Sequence, residues 1–166
     1  MVYRSRKGQP AIDLLLAGLV LFGFVIMGIV GYRLFGDINA PIQADATFDE
    51  TAKSTLQQNY DKFPDWLDGT FMFILGMFWV AMIVSAFYVR TNPVFFFISV
   101  LLLTITFVIM MILSNTYEDL TGNADFQESA DALPMVNWTM GHFLQVSIVM
   151  ATTALIALFS RRGDSI

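Results

Sequence analysis

The chain has 166 residues, 56% of them hydrophobic and only 14% charged, with a formal net charge of −5. A water-soluble domain of this length carries about a quarter charged residues, so the composition argues for a chain largely solvated by lipid. The absence of cysteine excludes disulfides, thiolate metal sites and thiol chemistry, including that of the four-helix thiol oxidoreductases of membranes.

The N-terminal segment MVYRSRKGQP contains Arg4, Arg6 and Lys7 and leads into an apolar run from Ala11 to Leu34. Basic residues before an apolar stretch also mark secretory signal peptides. This run, however, exceeds the ~20 residues that cross a bilayer and has no small-x-small cleavage site, so a retained first membrane helix over 11–34 is predicted. Gly18, Gly23 and Gly28 are its candidate packing positions, because glycine lets helices approach closely. With Gly31 they depart from the four-residue spacing of GxxxG. Asp13 falls in the first turn of this helix and Arg33 near its far end, about 30 Å away at ~1.5 Å per residue, too far to pair within one chain. Ionisable groups inside a span are functional candidates. The expected partners of Asp13 are Lys7, Arg90, Arg161 or lipid headgroups, and Arg33 is expected to snorkel.

Residues 35–68 read as an acidic outer loop, with Asp37, Asp45, Asp49, Glu50, Asp61, Asp65 and Asp68 against Lys53 and Lys62. Thr47-Phe-Asp-Glu50 fits a capping box, and Phe48, Ala52, Leu56 and Tyr60 recur every four residues, which predicts one short amphipathic helix. The aromatics of Tyr60-Asp-Lys-Phe63-Pro64-Asp-Trp66 suit the headgroup level. Two apolar runs follow, 69–89 and 93–113, separated by three residues that include Arg90. So short a link predicts an antiparallel membrane hairpin, with Pro93 opening the second helix. Residues 114–134 form a second acidic loop (Glu118, Asp119, Asp125, Glu128, Asp131), with a short helix expected over 124–133 and stopped by Pro134.

The last apolar stretch, 135–159, is the predicted fourth span and the most polar one. Trp138, His142, Gln145, Val149 and Thr152 fall on one stripe, while Ser147 and Ala151, with Ala154, form a small-residue packing face. Gln145 and Thr152 are expected to hydrogen-bond to neighbouring helices. One His with no second His and no carboxylate in its own helix points to a structural role for His142, with proton relay the alternative. The two termini and the hairpin turn hold six Lys/Arg and the single acid Asp164; the two long loops hold twelve acids and two lysines. By the positive-inside rule both termini are expected on the cytoplasmic side. The fold class expected is therefore all-α: four transmembrane helices, one domain, and short amphipathic helices in two acidic outer loops.

No nucleophile–base pattern, phosphate loop or HExxH is present, so neither an enzyme nor a cofactor or metal site is expected. The basic residues are too few and scattered for nucleic acid. Arg6-Lys7-Gly8-Gln9, with Ala11 and Asp13 before a long apolar helix, resembles the processing signal of archaeal type IV pilin-like proteins. That resemblance implies cleavage between Gly8 and Gln9 with Asp13 in the acidic position; basic anchor residues before a helix are the alternative reading. The four-span pattern as a whole, with Gly31-Tyr32 to Asn39, Asn92-Pro93-Val94-Phe95-Phe96 and Leu133-Pro134-Met135, is similar to small membrane proteins encoded by viruses and mobile elements of bacteria and archaea. This implies a structural component of a cellular or virion membrane whose acidic loops contact a coat or surface protein, or a second copy of the chain. The other class considered is a holin-like channel or small transporter using Asp13 and the polar stripe, with acid rings at its mouth. Small multidrug transporters also have four helices and an acid in the first.

Overall fold

A computed structural model describes residues 10–88 and 93–160. Among these the chain is all-helical: α1 (Pro10–Ala44), α2 (Glu50–Tyr88), α3 (Pro93–Thr121), α4 (Ala124–Asp131), α5 (Pro134–Gly141) and α6 (Phe143–Ser160). The turn at 89–92, including Arg90, and the N-terminal residues at which pilin-type cleavage was expected lie outside the described residues. Helices α1, α2 and α3 are each long and apolar enough to cross a membrane, and α5 with α6 supplies a fourth such length if the bent pair is one span.

The spans are apolar nearly all round, so burial is decided by side-chain size and helix phase rather than by an apolar stripe. Leu14, Leu21, Val25 and Ile29 of α1 pack against Phe71, Leu75 and Met82 of α2, Met110 and Tyr117 of α3, and Met150 and Ala154 of α6. The outward faces carry Leu16, Val20, Met27, Phe73, Val80, Leu101 and Ile156, all exposed. An apolar surface of that extent is stable against lipid and adhesive in water. Successive long helices alternate in direction along the chain, with α1 and α3 packed parallel, so the start of α1 and the end of α6 point to the same end of the bundle.

Two expectations need correction. The segment 35–68 is not a loop with one short helix: α1 runs on to Ala44 and α2 begins at Glu50, so both membrane-length helices continue past their apolar parts as a helical hairpin closed by a five-residue turn. The cap of α2 is Asp49 rather than Thr47. Its carboxylate accepts from the amides of Thr51 (3.1 Å) and Ala52 (3.3 Å), while the Thr47 amide and hydroxyl both donate to Asp45 at 2.8 Å. The expected fourth span, 135–159, is likewise broken at Gly141–His142, where α5 and α6 meet at 76°. Only α6, 18 residues long, runs down the bundle, about 27 Å at ~1.5 Å per residue.

Candidate functional site

Asp13 lies in a groove of about 380 Å³ between α1, α2 and α6, walled by Leu16, Val20, Phe78, Met82 and Met150. The Ser85 hydroxyl donates to its carboxylate at 3.3 Å. Helix register gives its level against each neighbour. Met150 is ten residues from Ser160, about 15 Å along α6, and Thr106, whose hydroxyl reaches the Ala11 carbonyl at 3.3 Å, is thirteen residues from Pro93, about 20 Å along α3. Asp13 is thus near the start of α1, level with the middle of α3 through the Thr106–Ala11 bond, and beside the last turn of α2, where Ser85 lies three residues from Tyr88. The cations expected to pair with it, Lys7, Arg90 and Arg161, lie outside the described residues. Among the described residues no salt bridge reaches its carboxylate.

A polar network at the opposite end holds α5 across the top of α6. Leu133 occupies the cap position of α5 and has no side-chain acceptor, and Pro134 has no N–H. The next two amides, of Met135 and Val136, instead donate to the two carboxylate oxygens of Asp68 on α2, each at 3.0 Å. A carboxylate at a helix N-terminus meets both the unpaired donors and the positive end of the dipole. At the other end of α5 the Ser114 hydroxyl donates to the Met140 carbonyl at 2.9 Å, and midway the Tyr117 hydroxyl donates to Asn137 at 3.2 Å. Asp68, Ser114 and Tyr117 are all buried. Sequence reasoning counted Asp68 and Ser114 only as loop residues. The available signal was Leu133-Pro134, a helix start with no cap of its own.

Beyond the apolar part, the α1–α2 hairpin is fastened side chain to side chain. Tyr32 stacks on Tyr60 at 4.9 Å and on Phe63 at 5.9 Å, with Phe35 edge-on to both rings. A Cβ at Gly36 would stand 3.1 Å from the Tyr60 hydroxyl, so a small residue there admits that ring. Farther out, Asn39 donates to Gln57 at 2.8 Å and Gln43 to the Lys53 carbonyl at 2.9 Å. Arg33 does not reach for headgroups alone. It pairs with Asp125 of α4 at 3.3 Å, lies 3.8 Å from Asp37, and covers the Phe126 ring, so it ties α4 to α1. Being half-exposed, those ion pairs contribute little individually.

The stripe on the last span faces outward: Trp138, His142, Gln145, Val149 and Thr152 are all exposed. The small face, Ser147, Ala151 and Ala154, is the buried one. Packing of that face sets the helix phase and leaves Gln145 and Thr152 pointing away from the bundle. Thr152 bonds its own helix at the Ile148 carbonyl, and the interhelical bond comes one residue later, from the Trp79 indole to Thr153 at 2.8 Å. His142 stacks on Trp138 and its Nδ1 lies 2.9 Å from the Trp138 carbonyl. A carbonyl only accepts, so Nδ1 carries a proton. Gly18 is buried where a Cβ would strike Met110, and one at Gly28 would come within 2.6 Å of Leu67. Gly23, by contrast, faces out, with nothing within 4 Å of such a Cβ.

No known protein family, no curated protein and no solved structure matches this chain.

Proposed function

We propose that this is a four-span integral membrane protein with a structural rather than catalytic role. Its helical outer head would dock a coat or surface protein, or further copies of the chain, in a cellular membrane or a virus-encoded one. Both termini would face the cytoplasm or interior, by the asymmetry of basic residues. The observation that carries the reading is the build of the head. The α1–α2 hairpin, α4 and α5 are interlocked by aromatic stacking, amide bonds and the Asp68 cap, so the acidic segments form a braced scaffold. On it Asp37, Asp45, Asp49, Glu50, Asp61, Asp65, Glu118, Asp119, Asp125, Glu128 and Asp131 are exposed, while Lys62 is the one exposed base among the described residues of the head. A surface of one sign on a rigid frame favours a basic partner and a salt-dependent association rate.

The test is native mass spectrometry of the protein extracted gently from its source membrane. The reading expects a full-length chain retaining a coat or surface protein, or an ordered array, with release at high salt or on reversing Asp61 and Asp65 to Lys. A partner-free closed ring that conducts ions in liposomes would replace it with the pore reading. Apart from its charged head, the pore reading has the Asp13 groove in its favour.

A further inference from the structure

We infer that the cleft between α1, α2 and α4 in the head is a binding site for an alkylammonium group. This rests on the docking reading, in which a basic partner supplies that group as a lysine side chain. The cleft measures about 440 Å³ and its walls are mostly polar. Asp37 comes from α1, Tyr60 from α2, and Asp125, Glu128 and Ser129 from α4. Arg33 beside them lies 3.3 Å from Asp125 and 3.8 Å from Asp37. One guanidinium thus faces three carboxylates, and a surplus of negative charge remains. No other described cation pairs with these carboxylates. Residues 1–9 cannot supply one, because α1 rises about 35 Å from Pro10 to Arg33, more than nine extended residues span. Residues 89–92 and 161–166 adjoin that same far end.

The Ser129 hydroxyl points to a ligand. Ser129 is only 7% exposed, yet among the described residues its hydroxyl makes no hydrogen bond. No fully enclosed side-chain nitrogen or oxygen among those residues lacks a partner, so this hydroxyl keeps an opening, and the cleft it lines is that opening. An ammonium offers three divergent donors, which suits acceptors on separate walls. A planar guanidinium needs a two-oxygen fork, and Arg33 already engages Asp37 and Asp125. The described residues contain no group of three candidate metal ligands. A phospholipid headgroup fits poorly, because its phosphate would enter beside the surplus carboxylates. A lysine side chain brings the ammonium without an anion.

The test is NMR of the isotope-labelled full chain in phosphatidylcholine nanodiscs, titrated with Nα-acetyl-lysine amide. The same compound acetylated on its side-chain nitrogen, and so uncharged, is the control. Saturable shifts of the α4 amides with the first and none with the second are expected. Ser129→Ala removes the buried acceptor and should weaken binding about tenfold. Ala40→Trp fills the cleft from the α1 side and leaves its polar groups in place, so it should abolish binding. Asp65→Asn, which removes a charge outside the cleft, should change binding less than about twofold. The inference is overturned if the wild-type chain shows no saturable shift or if both probes act alike. It is overturned equally if Ser129→Ala or Ala40→Trp, folded by circular dichroism, binds as the wild type does, or if Asp65→Asn weakens binding as much as Ser129→Ala. Loss of the probe's shifts when phosphatidylethanolamine is added to the nanodisc would overturn the partner's lysine in favour of a lipid headgroup. A partner retained in native mass spectrometry without probe binding would sink this site alone. Probe binding with no retained partner would sink the docking reading and leave the ammonium site standing.

Discussion

The Asp68 cap offers the sharpest test of how the outer end is built. In Asp68→Ala the amides of Met135 and Val136 lose both acceptors, and neither Leu133 nor Pro134 can substitute. A hydrogen bond to a charged group contributes about 1.5–3 kcal/mol. Two are lost, and water entering the vacated site recovers part, leaving a local cost of about 3 kcal/mol. That corresponds to about a hundredfold in the opening equilibrium of α5. Hydrogen exchange followed by mass spectrometry in nanodiscs should show the Met135–Val136 amides exchanging about a hundredfold faster. Asp68→Asn, with one acceptor left and an N–H facing the second donor, should fall between, and Asp65→Ala on the exposed face should change nothing. Unchanged protection of these two amides in Asp68→Ala would refute the assignment of Asp68 as the cap of α5.

Three further outcomes are expected. Trp79→Phe and Thr153→Val should each destabilise the bundle by about 0.5–1.5 kcal/mol, with a double-mutant coupling near 0.6 kcal/mol as for other interhelical bonds in membranes; steric-trapping unfolding would measure it. Gly18→Leu should cost about 1–3 kcal/mol by driving against Met110 and Phe143, whereas Gly23→Leu should be neutral within about 0.5 kcal/mol in the same assay. In the hairpin turn, the amide and hydroxyl of Thr47 hold the Asp45 carboxyl below its ordinary range. The folded state then binds fewer protons than the unfolded one, so this contribution is present above the ordinary carboxylate range and fades as pH falls through the depressed value. Carboxyl-selective NMR titration should show Asp45 moving up toward the ordinary range in Thr47→Val.

The membrane-length helices were legible because apolar run length is a local property. Three runs appear as continuous helices, and the starts of α3 at Pro93 and of α4 at Ala124 were placed closely. The small face of α6 was legible too: Ser147, Ala151 and Ala154 leave room only where another backbone comes near. What failed did so for a common reason. Polar residues after an apolar run look like a loop, yet α1 and α2 stay helical past it because Tyr32, Phe35, Tyr60 and Phe63 lie close enough to stack. Thr47 and Asp49 both offer a cap, and the turn geometry chose the second. Helical spacing placed His142, Gln145 and Thr152 on one stripe without indicating which way it faced.

The sequence by itself determined where lipid can solvate the chain, which segments carry the charge, and that no thiol or recognisable catalytic motif is available. These follow from composition and order along the chain. Only the tertiary structure decided which side chains face Asp13, the break between α5 and α6, and the service of Asp68 to a helix start more than sixty residues away. Those depend on how the helices pack against one another, as where Gly18 meets Met110 and Gly28 meets Leu67. The spacing within one helix carries no information about its register against another; packed side chains supply it.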